Sequence, residues 1–176
     1  IHGLPPHQVA CRGVARTFQN VSLFPRMTVL ENVMIGRHLH GRAGVLACAL
    51  RLPWQVREER ALRAAALRQL ESVGLREIAD RQAGTLSFGQ RRMVEWARAL
   101  ATEPRLLLLD EPASGLNTQE TETLAARIRA LRECGMTVLL VEHDMSLVME
   151  VADHILALDF GTPIAAGTPA EIRAHP

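Results

Sequence analysis

At 176 residues, 48% hydrophobic and 22% charged, the chain has the composition of one globular domain that can bury a sizeable core. The formal net charge of +1 spreads over arginines interleaved with acids, which carries neither a nucleic-acid nor a membrane-surface signal. All 20 basic residues are arginine, so no G-x-x-x-x-G-K-[ST] loop can exist within these residues. Cys11, Cys48 and Cys134 are odd in number and far apart; they read as buried or incidental thiols of a reducing cytosol. No apolar run is long enough to span a bilayer, and the opening residues lack a secretory pattern.

In chain order, Pro5-Pro6 is expected to open a short helix, because proline suits the first helical turn. Val14 to Phe18 alternates like a strand and ends at Gln19. Thr28 with Glu31 makes a capping box, predicting a helix through Val33 and Met34 towards His38, with Gly41 and Gly44 breaking it. From about Pro53 to Val73 the pattern predicts a long amphipathic helix. Leu62, Ala66, Leu70 and Val73 share one face, Glu59 precedes Arg63 by one turn, and Gly74 is the stop.

Beyond this helical stretch, strands and helices alternate. Ser87 with Gln90 is a second capping box, and Met93, Ala97 and Leu100 form the inward stripe of its helix. Leu106 to Leu109 is a continuous apolar strand, expected to be covered on both faces of a parallel sheet. Asn117 or Thr118 caps the next helix, with Leu124, Ile128 and Leu131 inward. Its acids (Glu120, Glu122) come early and its bases (Arg129, Arg132) late, matching the dipole; Gly135 stops it. Thr137 to Val141 is the next buried strand, leading to Glu142-His143-Asp144. Ile155 to Leu158 and Pro163 to Ala165 are shorter strands, and Thr168-Pro169-Ala170-Glu171 signals a last short helix. This order predicts an α/β domain with a largely parallel sheet. With no methionine before Met27, and an end at Pro176 just after a helix signal, the chain reads as a fragment of a longer polypeptide.

In an open parallel sheet, ligands gather at the carboxyl ends of strands, where Asp110 and Glu111 fall. Asp110 is the candidate metal ligand, since Mg²⁺ prefers carboxylate and phosphate oxygens, and Glu111 is the candidate to polarise an attacking water. The plain alternative is a buried strand surfacing into an acidic turn. The segment Leu86-Ser87-Phe88-Gly89-Gln90 offers backbone N–H groups at a helix start, with Gly89 letting a phosphate come close; it would also read as a capping box alone. His143 follows the next apolar strand and can reach the same edge to contact a γ-phosphate oxygen, or be incidental. Gln19 ends a strand and can touch the metal or the water, or be merely solvated.

Taken together, these segments resemble the nucleotide-binding domain of an ABC transporter. Leu86 to Gln90 resembles the signature motif, Leu106 to Glu111 the Walker B strand with its catalytic glutamate, and Ser114-Gly115-Leu116-Asn117 the D-loop. His143 is similar to the switch histidine and Gln19 to the Q-loop glutamine. Within the family the wording looks like the ATP-binding subunits of branched-chain amino acid importers. The segments that carry this are Gly3-Leu4-Pro5-Pro6-His7, Ala15 to Asn20, Met27 to Val33, Val141 to Met145 and Gly161 to Ala165. Phe88 stands where many relatives have glycine, Asn117 replaces the more usual D-loop aspartate, and the Walker A loop has no counterpart among these residues.

The resemblance implies a P-loop NTPase-like parallel sheet core with an inserted helical subdomain. Residues 1–18 and 102–176 would belong to the core, and 19–101 to the Q-loop and helical part. It implies ATP and Mg²⁺ as ligands, Glu111 and His143 as catalytic residues, and Asp110 and Gln19 at the metal. Ser87, Gly89 and Gln90 would serve ATP held by a second ATP-binding subunit. The implied partners are that subunit, transmembrane permease subunits and, indirectly, a periplasmic substrate-binding protein, with no nucleic acid. The implied location is peripheral, on the cytoplasmic face of the inner membrane. Leu23-Phe24-Pro25 is expected either to dock on the permease or to lie in the core. The full-length protein would hydrolyse ATP to energise import of branched-chain amino acids, or of related amino acids or amides, across the inner membrane, whereas these residues alone, without a Walker A loop, are expected to bind ATP negligibly and be inactive. The rival classes are a soluble ABC ATPase of DNA repair or translation, which would carry coiled-coil, zinc or basic insertions, and a truncated non-enzymatic binding module.

Overall fold

The computed structural model describes residues 1–17, 22–41 and 52–174; Gln19, Gly44 and Cys48 lie outside them. Three strands, β1 (Val14–Arg16), β2 (Leu106–Asp110) and β3 (Thr137–Val141), form a parallel sheet in the order β1-β2-β3. Pairing runs from Val14 opposite Leu106 through to Asp110 opposite Val141. β2 is thus central, and its last residue emerges beside the last residue of β3.

Side chains paired across parallel strands share a face. Ala15, Leu107 and Leu109 line the packed face, where both leucines are at most 1% exposed. Arg16, Leu108, Asp110, Leu139 and Val141 line the other. Leu139 and Val141 remain 57% and 56% exposed, which corrects the expectation of strands covered on both faces. Among the described residues, helices pack against one side only, and a four-leucine run does not reveal which of its residues meet them.

The helices form a layer of their own. α1 (Pro6–Cys11) begins with proline as expected. α2 (Val29–Arg37) starts at the Thr28–Glu31 capping box, with both reciprocal bonds present. α3 (Pro53–Ser72) ends before Gly74, which takes the positive φ of +73° that ends helices without a Cβ clash. Its buried face is Ala65, Ala66 and Leu70, with Leu62 half-buried. The expected Glu59–Arg63 pairing is replaced: Glu59 accepts from Gln55, and Arg63 reaches Asp80 at 3.7 Å.

α4 (Phe88–Leu100) lies between the other helices and the sheet, so more than a stripe of it is buried. Val94, Ala97 and Leu100 are buried with Arg92, Glu95 and Trp96, while Met93 is only half-buried. Gly36 lets α2 cross α4 closely: a Cβ there would stand 2.2 Å from the Arg98 carbonyl oxygen. Val29, Leu30, Val33, Ala66, Leu70 and Val94 fill the space between these helices. Each fully buried leucine or valine contributes about 1.5–3 kcal/mol relative to exposure.

Asn32, fully buried, uses its amide on the loop before α2. It accepts from the Phe24 N–H (2.9 Å) and donates to the Phe24 and Thr28 carbonyls (3.1 and 2.9 Å). Leu23 packs against the core, as one of the two expectations for this tip has it, while Phe24 is 52% exposed.

α5 (Thr118–Glu133) connects β2 to β3, and Asn117 is its cap. Leu124, Ala125 and Ile128 are buried, and Arg129 and Arg132 reach Glu150 and Asp153. α6 (Met145–Val151) follows β3. β4 (Ile155–Asp159) and β5 (Thr162–Gly167) then pair antiparallel with each other, apart from the parallel sheet. Their turn, Phe160-Gly161, takes positive φ at both residues (45° and 80°), as a two-residue hairpin needs. α7 (Pro169–Ala174) closes the described chain behind a Thr168–Glu171 box. Cys11 and Cys134 are exposed, so neither is a buried thiol.

Candidate functional site

The carboxyl edge of β2 and β3 gathers the acidic residues and the histidine. Asp110 ends β2 on the open face of the sheet, where Arg16 of β1 binds its Oδ2 at 2.8 Å. Glu111 comes next. Its N–H donates to the Val141 carbonyl (2.9 Å), and its φ of +45° is left-handed. A non-glycine residue held there is strained by about 1–3 kcal/mol and persists only when its surroundings over-determine it.

Those surroundings are two buried ionic side chains. Glu142 follows β3, and its side chain is fully buried. One oxygen accepts the Ala113 N–H at 2.7 Å; the other accepts the N–H groups of His143 (3.0 Å) and Asp144 (3.4 Å). From α4, Arg92 Nη1 donates to the Pro112 and Ser114 carbonyls, both at 2.6 Å, while its guanidinium lies 5.1 Å over the Phe88 ring. Burial pushes the Arg92 pKa down, and the Glu95 and Glu142 carboxylates push it back up. A guanidinium stays charged in either case.

On this base, His143 Nδ1 stands 4.0 Å from Glu111 Oε1. The His143 side chain is three-quarters exposed and that of Glu111 one-third, so both can meet a ligand above the sheet edge. Asp144 caps α6 through the Ser146 and Leu147 amides, fixing the far end of the histidine's turn.

The second candidate group sits at the start of α4. Ser87 Oγ accepts from the Gln90 N–H (3.3 Å), and Gln90 Oε1 accepts from the Ser87 N–H (3.1 Å), completing the expected capping box. Capping uses the serine oxygen as acceptor, so the hydroxyl hydrogen is not consumed and can still be donated. Gly89 is not demanded by its own chain: a Cβ there would meet only Glu120 Oε1, at an ordinary 3.5 Å. Phe88 is 48% exposed and lies against Gly115. Asn117 caps α5 by accepting the Glu120 N–H at 3.0 Å, a task aspartate would perform equally.

The structure therefore joins Asp110, Glu111 and His143 at one edge and keeps Ser87, Gly89 and Gln90 as a separate outward group. Gln19 falls outside the described residues. Among those residues no three metal-ligating side chains cluster. A Mg²⁺ that takes most of its oxygens from phosphate and water needs only one or two carboxylates, and Asp110 at the edge suits that donor set. Reading from sequence missed Arg16, Arg92 and Glu142. The available signals were weak: Glu142 is an acid beside an apolar strand, and Arg92 lies one turn from both Phe88 and Trp96.

A parallel sheet with acids at its carboxyl edge and a separately capped, outward helix start describes a nucleotide-handling α/β domain. Residues 5–114 match the model of the ABC transporter family, and the chain belongs to that family as part of an ABC-type ATPase. It is 50% identical to the high-affinity branched-chain amino acid transport ATP-binding protein BraF of Pseudomonas aeruginosa, over 100% of this chain and 69% of that protein. It is 45% identical to the high-affinity branched-chain amino acid transport ATP-binding protein LivG of Escherichia coli K12, with the same coverages. Its fold matches the crystal structure of a nucleotide-free ATP-binding cassette from an ABC transporter. The TM-score is 0.79 at 32% identity, covering 99% of this chain and 68% of that one.

Proposed function

We propose that the chain belongs to the ATP-hydrolysing subunit that energises import of branched-chain amino acids. The observation that carries the chemistry is the juxtaposition of Glu111 and His143 at the end of β2 and β3. The observation that favours the cargo is the naming of relatives up to 50% identical across the whole chain. In this reading Glu111 orients and polarises the attacking water, and His143 donates to a γ-phosphate oxygen. Asp110, with Gln19, would hold a Mg²⁺, which would neutralise charge on the phosphate oxygens. Arg16 would then release Asp110 to the metal.

Ser87, Gly89 and Gln90 would cradle the phosphates of ATP bound by a second ATP-binding subunit, using the N–H groups and dipole at the start of α4. That division fits the local geometry, because the capping box leaves the serine hydroxyl hydrogen for something outside the chain. The helical part, residues 19–101, would face permease subunits, with Phe24 as a contact and a periplasmic binding protein acting through them. No helix among the described residues is long and apolar enough to cross a membrane, so attachment to the cytoplasmic face of the inner membrane would run through those partners. The alternatives, a nucleic-acid-coupled ABC ATPase or a non-enzymatic module, have no comparable support from the relatives. The deciding experiment is uptake of radiolabelled leucine, isoleucine or valine by cells lacking the gene and by complemented cells. Equal uptake in the two would overturn the cargo; absence of ATP hydrolysis by the assembled transporter would overturn the chemistry.

A further inference from the structure

The Glu111 turn and the His143 turn come from different strands, and Glu111 is held in a backbone conformation that glutamate does not favour. Something must fix the two turns relative to each other, and one side chain bonds to both. Glu142 accepts the Ala113 N–H with one oxygen and the His143 and Asp144 N–H groups with the other, from a fully buried position. Arg92 holds the same 111–114 turn by its carbonyls, so its amide side rests on a carboxylate and its carbonyl side on a guanidinium. We propose that Glu142, backed by Arg92, is a positioning residue that sets the separation of Glu111 from His143 for ATP hydrolysis.

This inference rests on the site reading above. Glu142 itself touches no substrate, being buried beneath the edge; it acts through the two turns it bonds and through its Oε2, which lies 3.7 Å from His143 Nδ1. A glutamine there keeps the size and one accepting oxygen. However, it places an N–H donor against amides that also donate, so one of the two turns must move.

The test measures steady-state ATP hydrolysis and thermal melting in the assembled transporter that carries this chain, for wild type, E142Q, H143A and the H143A/E142Q double variant. E142Q should lower kcat by about 10–100-fold, the scale of an ångström-sized misplacement. The KM for ATP should change by less than about threefold, because ground-state binding is not what Glu142 supports. The double variant should be within about twofold of H143A, since the two residues act through one geometry. Wild-type kcat in E142Q, or losses that multiply in the double variant, would overturn the proposal. If E142Q does not fold, E142D, which keeps the charge but shortens the reach, is measured the same way: reduced kcat at unchanged KM supports the proposal and full kcat overturns it. Full activity in H143A would instead defeat the site reading. Full activity in E142Q beside an inactive H143A would defeat only the role of Glu142.

Discussion

The β2–β3 edge and the start of α4 both present polar groups to the solvent, yet they are built in different ways. At the edge, the half-buried Glu111 and the exposed His143 stand on the buried charges of Glu142 and Arg92, each fixed by at least two bonds to backbone. At the start of α4, Ser87 and Gln90 bond only to each other's backbone, and a Cβ at Gly89 would meet only the Glu120 carboxylate, at 3.5 Å. A group that must hold an angle for chemistry receives buried ionic support, which is costly unless every partner is satisfied. A group offered to a ligand outside the chain receives a local cap and little more.

The largest effect that could break this comparison comes from Glu111. Glu111→Gln should slow ATP hydrolysis in the full transporter by about 10²–10⁴-fold, the range of a lost general base. It should also trap a nucleotide-bound dimer on gel filtration; undiminished turnover would remove Glu111 from the chemistry. Arg92→Met should cost about 2–4 kcal/mol in denaturant unfolding, because one buried and one part-buried carbonyl lose a charged donor. A loss below about 0.5 kcal/mol, the scale of an ordinary surface substitution, would mean that the turn is held from the Glu142 side alone.

Gly36→Ala should cost about 1–3 kcal/mol, since the added methyl meets the Arg98 backbone and α2 must back away from α4. That loss should leave the Ser87 amide's exchange protection unchanged if the cap is as local as its bonds suggest. Ser87→Ala should cost about 1 kcal/mol and Ser87→Gly only a few tenths, measured by melting.

The smallest effect distinguishes one cap from another by pH. The Thr28 backbone and hydroxyl bonds hold the Glu31 carboxyl below its ordinary value of 4.5, so its contribution to stability is complete above that value. It is lost as pH falls through the lower folded value. The Ser87–Gln90 box uses a neutral amide in the same place and should show no such acid loss. Amide exchange at Glu31 and Gln90 across that pH window checks the contrast.

Much of this was legible along the chain. The capping boxes at Thr28 and Ser87 were readable, and a cap at Asn117 or Thr118, because capping is a contact between residues three apart. The strand ends at Asp110 and Val141 were readable because an apolar run stopped at polar residues. Three features were not legible. Glu142 looked like one more acid after a strand, and its role depends on Ala113, 29 residues away in the chain. Arg92 stood one position outside the expected stripe of α4, whose burial on several sides comes from neighbours distant in sequence. The pairing of β4 with β5 alone depended on which strand edge was nearest, which a count of strands does not contain.

The sequence by itself determined the family, the order of elements and the identity of the edge carboxylates and histidine, because those signals lie in short segments and their spacing. Only the tertiary structure decided which sheet face is packed, where Arg16 meets Asp110, and that one buried carboxylate bonds both turns bearing Glu111 and His143. The physical reason is range: capping and periodicity act within a few residues. Burial and ion pairing depend on which distant segments the fold brings within about 3 Å of each other.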